Sequence, residues 1–294
     1  MWYWRSLRWL RLPLIAYLLF LLLVTFLETW LVYPAPKANQ GDWIAAQLDH
    51  EDVWFASADG TRLHGWLLEH PDPQHVVLIC HGNGEHVAYC APELDRLRQR
   101  LQATIFVFDY RGYGKSEGTP FEPLVIADAR AAHQWLADRA GVPTDEVVLM
   151  GRSLGGGVAV ASAEALGAKA LVLQSTFARM VDTAARLKPF LPVRLLMRNR
   201  WDSLARIASY NGPVLQSHGA DDTLVTLAEG KRLFEAIPNS QKEFITYAGG
   251  HNDPPPPHYY RTLERFLDEL APLKWATNQL GRELAPPAST KPAG

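Results

Sequence analysis

A serine hydroxyl is a useful nucleophile at neutral pH only when a base takes its proton and a third group holds that base in place. Gly151-Arg152-Ser153-Leu154-Gly155 offers such a serine. It follows the apolar run Glu146-Val147-Val148-Leu149-Met150 and precedes a stretch of small residues, Gly156-Gly157-Val158-Ala159-Val160-Ala161. That context predicts a strand turning sharply into a helix, which lifts Ser153 Oγ above a sheet edge and sets it at a helix N-terminus. Downstream, Ser217-His218-Gly219-Ala220-Asp221-Asp222 carries two carboxylates after an apolar run, and Ala248-Gly249-Gly250-His251-Asn252-Asp253 carries a histidine after another. Ser, Asp, His is a known chain order for such a trio. His251 is the candidate base, with Asp222 or Asp221 to orient it and the other carboxylate free to cap the turn.

An acyl carbonyl under attack also needs donors for its developing oxyanion. Cys80-His81-Gly82-Asn83-Gly84-Glu85-His86 leaves the run His75-Val76-Val77-Leu78-Ile79, and its glycines let backbone approach a substrate. The N–H groups of Asn83 and of Leu154 are the candidate oxyanion donors. The loop lacks the Gly-Lys-Ser/Thr ending of a phosphate loop. His81 and His86 are five apart, off the spacing that puts two metal ligands on one helical face, so no metal is expected. His64, His70, His75, His86 and His133 read as ordinary surface or satisfied histidines. Cys80 and Cys90 are too few for a disulfide scaffold, and Cys80 reads as a small buried hydrophobe.

These loops need a scaffold that brings them to one edge. Val53–Ala56 and Leu63–Leu68 flank Asp59-Gly60, a hairpin signal. After them come short apolar runs at Val76–Cys80, Ile105–Phe108, Val147–Met150, Ala170–Leu173, Val214–Gln216 and Phe244–Tyr247, with amphipathic stretches between most of them. The alternation predicts βαβ units: a mostly parallel eight-stranded sheet with an antiparallel N-terminal hairpin and helices on both faces. The Pro-framed piece 177–210 is longer than one crossover needs and is expected to form a small lid.

The 294 residues are 48% hydrophobic and 20% charged, and their 29 basic against 31 acidic side chains argue against a nucleic-acid partner or a disordered chain. Residues 12–33 hold Glu28 as their only charge and would span roughly 33 Å as a helix, enough for a bilayer core. Arg5, Arg8 and Arg11 precede this stretch, acidic residues dominate after it, and Trp2, Trp4, Trp9, Trp30 and Tyr33 flank it. The expectation is a retained single-pass anchor with residues 1–11 cytoplasmic and the rest of the chain outside. A cleaved signal is the rival, but no small-residue cleavage site follows. Residues 34–50 then form a linker, 51–273 the catalytic domain, and 274–294, rich in Pro and Ala, a disordered tail.

The ordered set HGNGE, FDYRGYGKSEG, GRSLGGG, HGADDTLV and GGHND resembles the α/β-hydrolase superfamily, and within it the membrane-anchored Bem46-like group with serine aminopeptidase S33-type domains. The resemblance runs from about residue 52 to residue 270. It implies an α/β-hydrolase fold with Ser153 as nucleophile, Asp222 rather than Asp221 as acid, His251 as base, and Asn83 and Leu154 N–H as oxyanion donors. Asp109 to Gly114 is implied to shape and support the rim of the site. Val225-Thr226 stands where the family often has Val-Pro, a departure expected to change a helix start and leave the chemistry intact. No cofactor is implied. The implied activity is hydrolysis of carboxylic esters or thioesters, with an acyl lipid or other small acylated molecule as substrate. A noncatalytic binding protein of the same fold, or an acyltransferase or peptidase, is the alternative.

Overall fold

The computed structural model describes residues 3–45 and 47–275, with side chains from residue 11 onward. Helices α1 (Tyr3–Phe26) and α2 (Glu28–Val32) lead into the hairpin β1 (Glu51–Ala56) and β2 (Arg62–Leu68). Then follow β3 (His75–Cys80), α3 (Val87–Arg100), β4 (Ala103–Phe108), α4 (Glu122–Ala140), β5 (Val147–Arg152), α5 (Leu154–Leu166) and β6 (Ala170–Gln174). Three short helices, α6 (Met180–Leu187), α7 (Val193–Leu196) and α8 (Ser203–Ile207), occupy the expected lid segment. The chain closes with β7 (Val214–Gly219), α9 (Leu227–Glu235), β8 (Lys242–Tyr247) and α10 (Pro257–Asp268).

One eight-stranded sheet runs in the order β1-β2-β4-β3-β5-β6-β7-β8. β1 and β2 are antiparallel, and β2 is antiparallel to β4; the strands from β4 to β8 are all parallel. All eight strands expected from the apolar runs form. The central ones are buried on both faces, which is why they read as unbroken apolar runs. One face packs α4 and α5 through Val125, Ala129, Leu136, Val158 and Ala161; the other packs α3 and α10 through Leu94, Leu97, Leu263 and Phe266.

The parallel register decides where the loops go. Cys80 pairs with Gly151 at the ends of β3 and β5, so the glycine-rich loop after β3 emerges beside the turn after β5. Gly219 pairs with Tyr247 at the ends of β7 and β8, so the two-carboxylate turn emerges beside the histidine loop. All four loops leave the carboxyl edge, and strand order reverses between β3 and β5, where ligands of open parallel sheets bind.

The N-terminal helix is interrupted before it reaches the body. Residues 12–33 do not run as one span: the helix breaks at Leu27, and Glu28–Tyr33 turns onto the body. Glu28 holds this segment against the body, its carboxylate accepting from the backbone N–H groups of Arg198 and Asn199 and from both of their side chains. Of α1 the side chains are described from Arg11 onward, and among the described residues no helix is long and apolar enough to cross a membrane. Within residues 34–50, Ala45 and Leu48 are buried in the core beside Trp66. Residues 276–294 of the expected tail lie outside the described residues. Leu273 and Trp275 pack on the core.

Candidate functional site

Ser153 sits between β5 and α5 at φ 54° and ψ −116°, a strained conformation for a residue with a side chain. The strain persists because neighbours fix the turn: Ser153 N–H donates to Gln174 O at 2.9 Å, and Thr176 Oγ1 donates to Ser153 O at 2.8 Å. Gly151 and Gly155 let the turn close. A Cβ on Gly155 would lie 1.9 Å from Cys80 O, and one on Gly151 would lie 2.2 Å from Gly155 O.

His251 spans from this serine to a carboxylate. Its Nε2 lies 2.9 Å from Ser153 Oγ and its Nδ1 lies 2.7 Å from Asp222 Oδ2. With Nδ1–H donating to Asp222, Nε2 is left to accept from the hydroxyl. Asp222 is buried, and its Oδ1 accepts the N–H groups of Leu224 and Val225 at 2.9 Å each. Burial alone would raise its pKa, but the His218 and His251 side chains and the Val225 N–H hold the carboxyl well below the usual carboxylate range. Asp222 therefore orients the ring and caps the turn at once. Asp221, expected as the cap, is exposed, and its Oδ2 accepts from Gly249 N–H at 3.3 Å. Thr226 replaces the family's proline with a working helix start, forming a capping box with Glu229.

The candidate oxyanion donors are both close by in the fold. Leu154 opens α5 directly after Ser153, and Asn83 lies in the loop beyond β3. Among the described residues no protein group accepts from either N–H, whereas Gly82 N–H donates to Glu85 Oε2 at 2.7 Å. That loop is anchored from below by Asp109, whose carboxylate accepts from Val87 N–H at the start of α3, from Lys115 N–H and from the His64 ring. The segment after β4 thus supports the rim as expected. Arg111 secures it further through Asp128 and Asp59.

Two residues near the site escape sequence reasoning. His218 is buried, with Nε2–H donating to Val225 O at 2.8 Å and lying 3.4 Å from Asp222 Oδ2, so it braces the acid's turn. Its place at the head of HGADD was the available signal. Arg152, the variable position of the pentapeptide, pairs with Glu85 and reaches His251 O at 3.4 Å. It ties the serine turn to the loops on both sides. Of the other histidines, His133 is satisfied by Ser162 and Thr144 and pushed down to about 4 by burial, while His64 lies between Asp52 and Asp109. Cys80 and Cys90 are free thiols. A cavity of about 110 Å³ lies behind the turn, lined by Cys80, Cys90, Met150 and Tyr259 but not by Ser153.

The family described as alpha/beta hydrolase fold matches residues 75–200. A plant relative, the alpha/beta hydrolase domain-containing protein WAV2 of Arabidopsis thaliana, is 32% identical over 250 residues, covering 77% of this chain and 81% of its own. The chain belongs to the α/β-hydrolase family. This hydrolase-fold protein is also 37% identical over 205 residues to the uncharacterized protein MT2364 of Mycobacterium tuberculosis, covering 69% and 73% of the two chains. Among solved structures it resembles the Pyrococcus furiosus esterase Pf2001 at a TM-score of 0.67 and 22% identity, over 80% of this chain and 99% of that one. That likeness speaks for the fold.

Proposed function

We propose that this α/β hydrolase is a serine hydrolase that cleaves carboxylic esters or thioesters, with an acyl lipid or other small acylated molecule as substrate. The observation that carries the reading is the continuous hydrogen-bonded line from Ser153 Oγ through the His251 ring to Asp222. Ser153 attacks the acyl carbonyl as its proton passes to His251 Nε2, and Asp222 stabilises the imidazolium. The N–H groups of Asn83 and Leu154 hold the oxyanion. His251 then protonates the leaving alcohol or thiol, and water, activated by the same ring, releases the acid and restores Ser153.

The lipid preference is supported by surface chemistry. Phe190 and Leu195 of the lid stand exposed, and Tyr17 OH donates to Phe190 O, joining the lid to α1 with its outward Leu19, Leu22 and Phe26. We infer from these apolar side chains, and from Arg5, Arg8 and Arg11 ahead of them, that α1 tethers the protein to a membrane with its N-terminus cytoplasmic and the hydrolase domain on the other side. The test is fluorophosphonate labelling and p-nitrophenyl ester turnover across acyl lengths, on wild type beside Ser153→Ala and His251→Ala. Both signals are expected from wild type and lost in both variants. A folded wild type that takes neither probe nor ester overturns the reading.

A further inference from the structure

The loop proposed to hold the oxyanion is not held by the hydrolase domain alone. Asn83 spends both ends of its side chain: Nδ2 donates to Val32 O at 2.6 Å, and Oδ1 accepts from Tyr113 OH at 2.6 Å. Val32 belongs to the segment ahead of the hydrolase domain, 51 residues away in the chain. The loop carrying Tyr113 is tied to that same segment, because Gly114 N–H donates to Pro36 O at 2.8 Å and Lys37 Nζ donates to Gly112 O. Whatever sets the position of residues 28–37 therefore sets both partners of the Asn83 side chain.

Buried groups fix that position. Glu28 Oε1 accepts from Arg198 N, Asn199 N and Asn199 Nδ2 at 2.8, 2.8 and 2.9 Å, and Oε2 accepts from Arg198 Nε at 2.8 Å. Asn199 Oδ1 in turn accepts from Tyr33 OH and from Glu122 N–H, and Trp201 Nε1 donates to Tyr33 OH at 2.9 Å. Tyr33, Asn199 and Trp201 are buried, so these polar atoms depend on one another for partners. Asn199 and Trp201 lie between α7 and α8 of the lid segment, so one network joins the lid, the N-terminal segment and the Asn83 loop.

We propose that Glu28–Tyr33 is a positioning element of the active site, acting through Val32 O and the Asn83 side chain to aim the Asn83 N–H, with Tyr113 and Glu28 as positioning residues. The proposal rests on the serine-hydrolase reading. It makes the N-terminal segment part of the working site: a chain cut after residue 33 loses the acceptor of Asn83 Nδ2.

The test uses the full chain in detergent. Wild type, Tyr113→Phe, Glu28→Ala, Glu28→Gln and Tyr210→Phe are compared for ester kcat and KM, fluorophosphonate labelling, thermal melting, and amide hydrogen exchange over residues 82–84. Tyr113→Phe and Glu28→Ala are expected to lower kcat about tenfold at nearly constant KM, below the 10² to 10³ of losing an oxyanion donor outright. Exchange at residues 82–84 is expected to quicken in both. Glu28→Gln keeps one oxygen for the three bonds on Oε1 and is expected to recover most of the kcat. Tyr210→Phe removes the same phenolic oxygen, bonded to Ala168 O ahead of β6 at the opposite edge of the sheet, and leaves kcat unchanged. Wild-type kcat in Tyr113→Phe and Glu28→Ala, measured well below their melting points, overturns the proposal alone. A wild type that takes no probe overturns the hydrolase reading and this one with it.

Discussion

Replacing Asp222 with asparagine separates the two tasks of its carboxylate. Oδ1 accepts the Leu224 and Val225 N–H groups, and Oδ2 accepts His251 Nδ1–H at 2.7 Å. Asparagine has one acceptor oxygen. Two backbone donors face the Oδ1 position, so the amide oxygen stays there and the NH2 turns on the ring. His251 Nδ1 must then accept, which moves the ring proton to Nε2, 2.9 Å from Ser153 Oγ. The ring now donates to the hydroxyl it should deprotonate. In the Ser-His-Asp template this exchange costs about 10⁴ in kcat, or about 5.5 kcal/mol of transition-state stabilisation. Asp221→Asn disturbs a single long, exposed bond to Gly249 N–H and should keep kcat within about threefold. The assay is p-nitrophenyl ester turnover well below the melting temperature, normalised to folded protein. Asp222→Asn retaining more than about a tenth of wild-type kcat, or Asp221→Asn losing as much, would refute the tautomer argument.

The same substitution carries a pH signature. Because the folded protein holds Asp222 below the ordinary value of 3.8, its stabilisation is present above that value and is lost as pH falls through the lower folded value. The melting gap between wild type and Asp222→Asn should be full near about pH 6 and close as the pH drops below about 4, as read by calorimetry. Gly155→Ala drives a methyl into Cys80 O and His81 O, at 1.9 and 2.6 Å, and should abolish fluorophosphonate labelling. Gly157→Ala meets only Phe177 and Trp201 ring atoms, from 3.1 Å, and should still label. Arg111→Met strands Asp128, which is fully buried, and should cost about 3 to 5 kcal/mol in denaturant unfolding. Arg111→Met combined with Asp128→Leu should recover much of that loss, because no uncompensated charge is then buried.

What could be read from residues alone follows the range of the interactions. The strands were legible because each is a local apolar run, and the serine turn because its pentapeptide sits directly between such a run and a stretch of small residues; that Gly155 is also demanded by Cys80 O at the end of β3 shows only in the fold. Asp222 and His251 were legible as neighbours because β7 and β8 end in step, which a parallel sheet requires of consecutive βα units. Choosing between Asp221 and Asp222 was beyond the residues themselves, since either could face the ring until the register of β7 fixed which one points inward. The docking of Glu28–Tyr33 onto the body escaped the sequence for the opposite reason. Glu28 sits in an apolar stretch where a lone charge reads as a tolerated exception, and its partners Arg198 and Asn199 lie about 170 residues away in a segment with no periodicity to announce them. A lone acid in an apolar run signals a partner but does not name one.

Arg152 shows why the loops work as a unit rather than as four separate insertions. The backbone turn that strains Ser153 also fixes the direction of the residue before it. Arg152 leaves the end of β5 toward Glu85, whose other oxygen accepts Gly82 N–H, and toward the carbonyl of His251. One guanidinium thus spans the serine turn, the Asn83 loop and the histidine loop. Arg152→Met should therefore resemble neither a triad loss nor a simple stability loss. It frees the two flanking loops relative to Ser153 while leaving the Asp222-His251-Ser153 line intact, so kcat should fall by roughly ten- to a hundredfold, short of an oxyanion-donor loss. Arg152→Lys keeps the charge but lacks the fork that reaches both Glu85 and His251 O, and should restore only part of the rate. Ester kinetics on the two variants decide the point: equal, wild-type kcat in both would make Arg152 a surface ion-pair partner and nothing more.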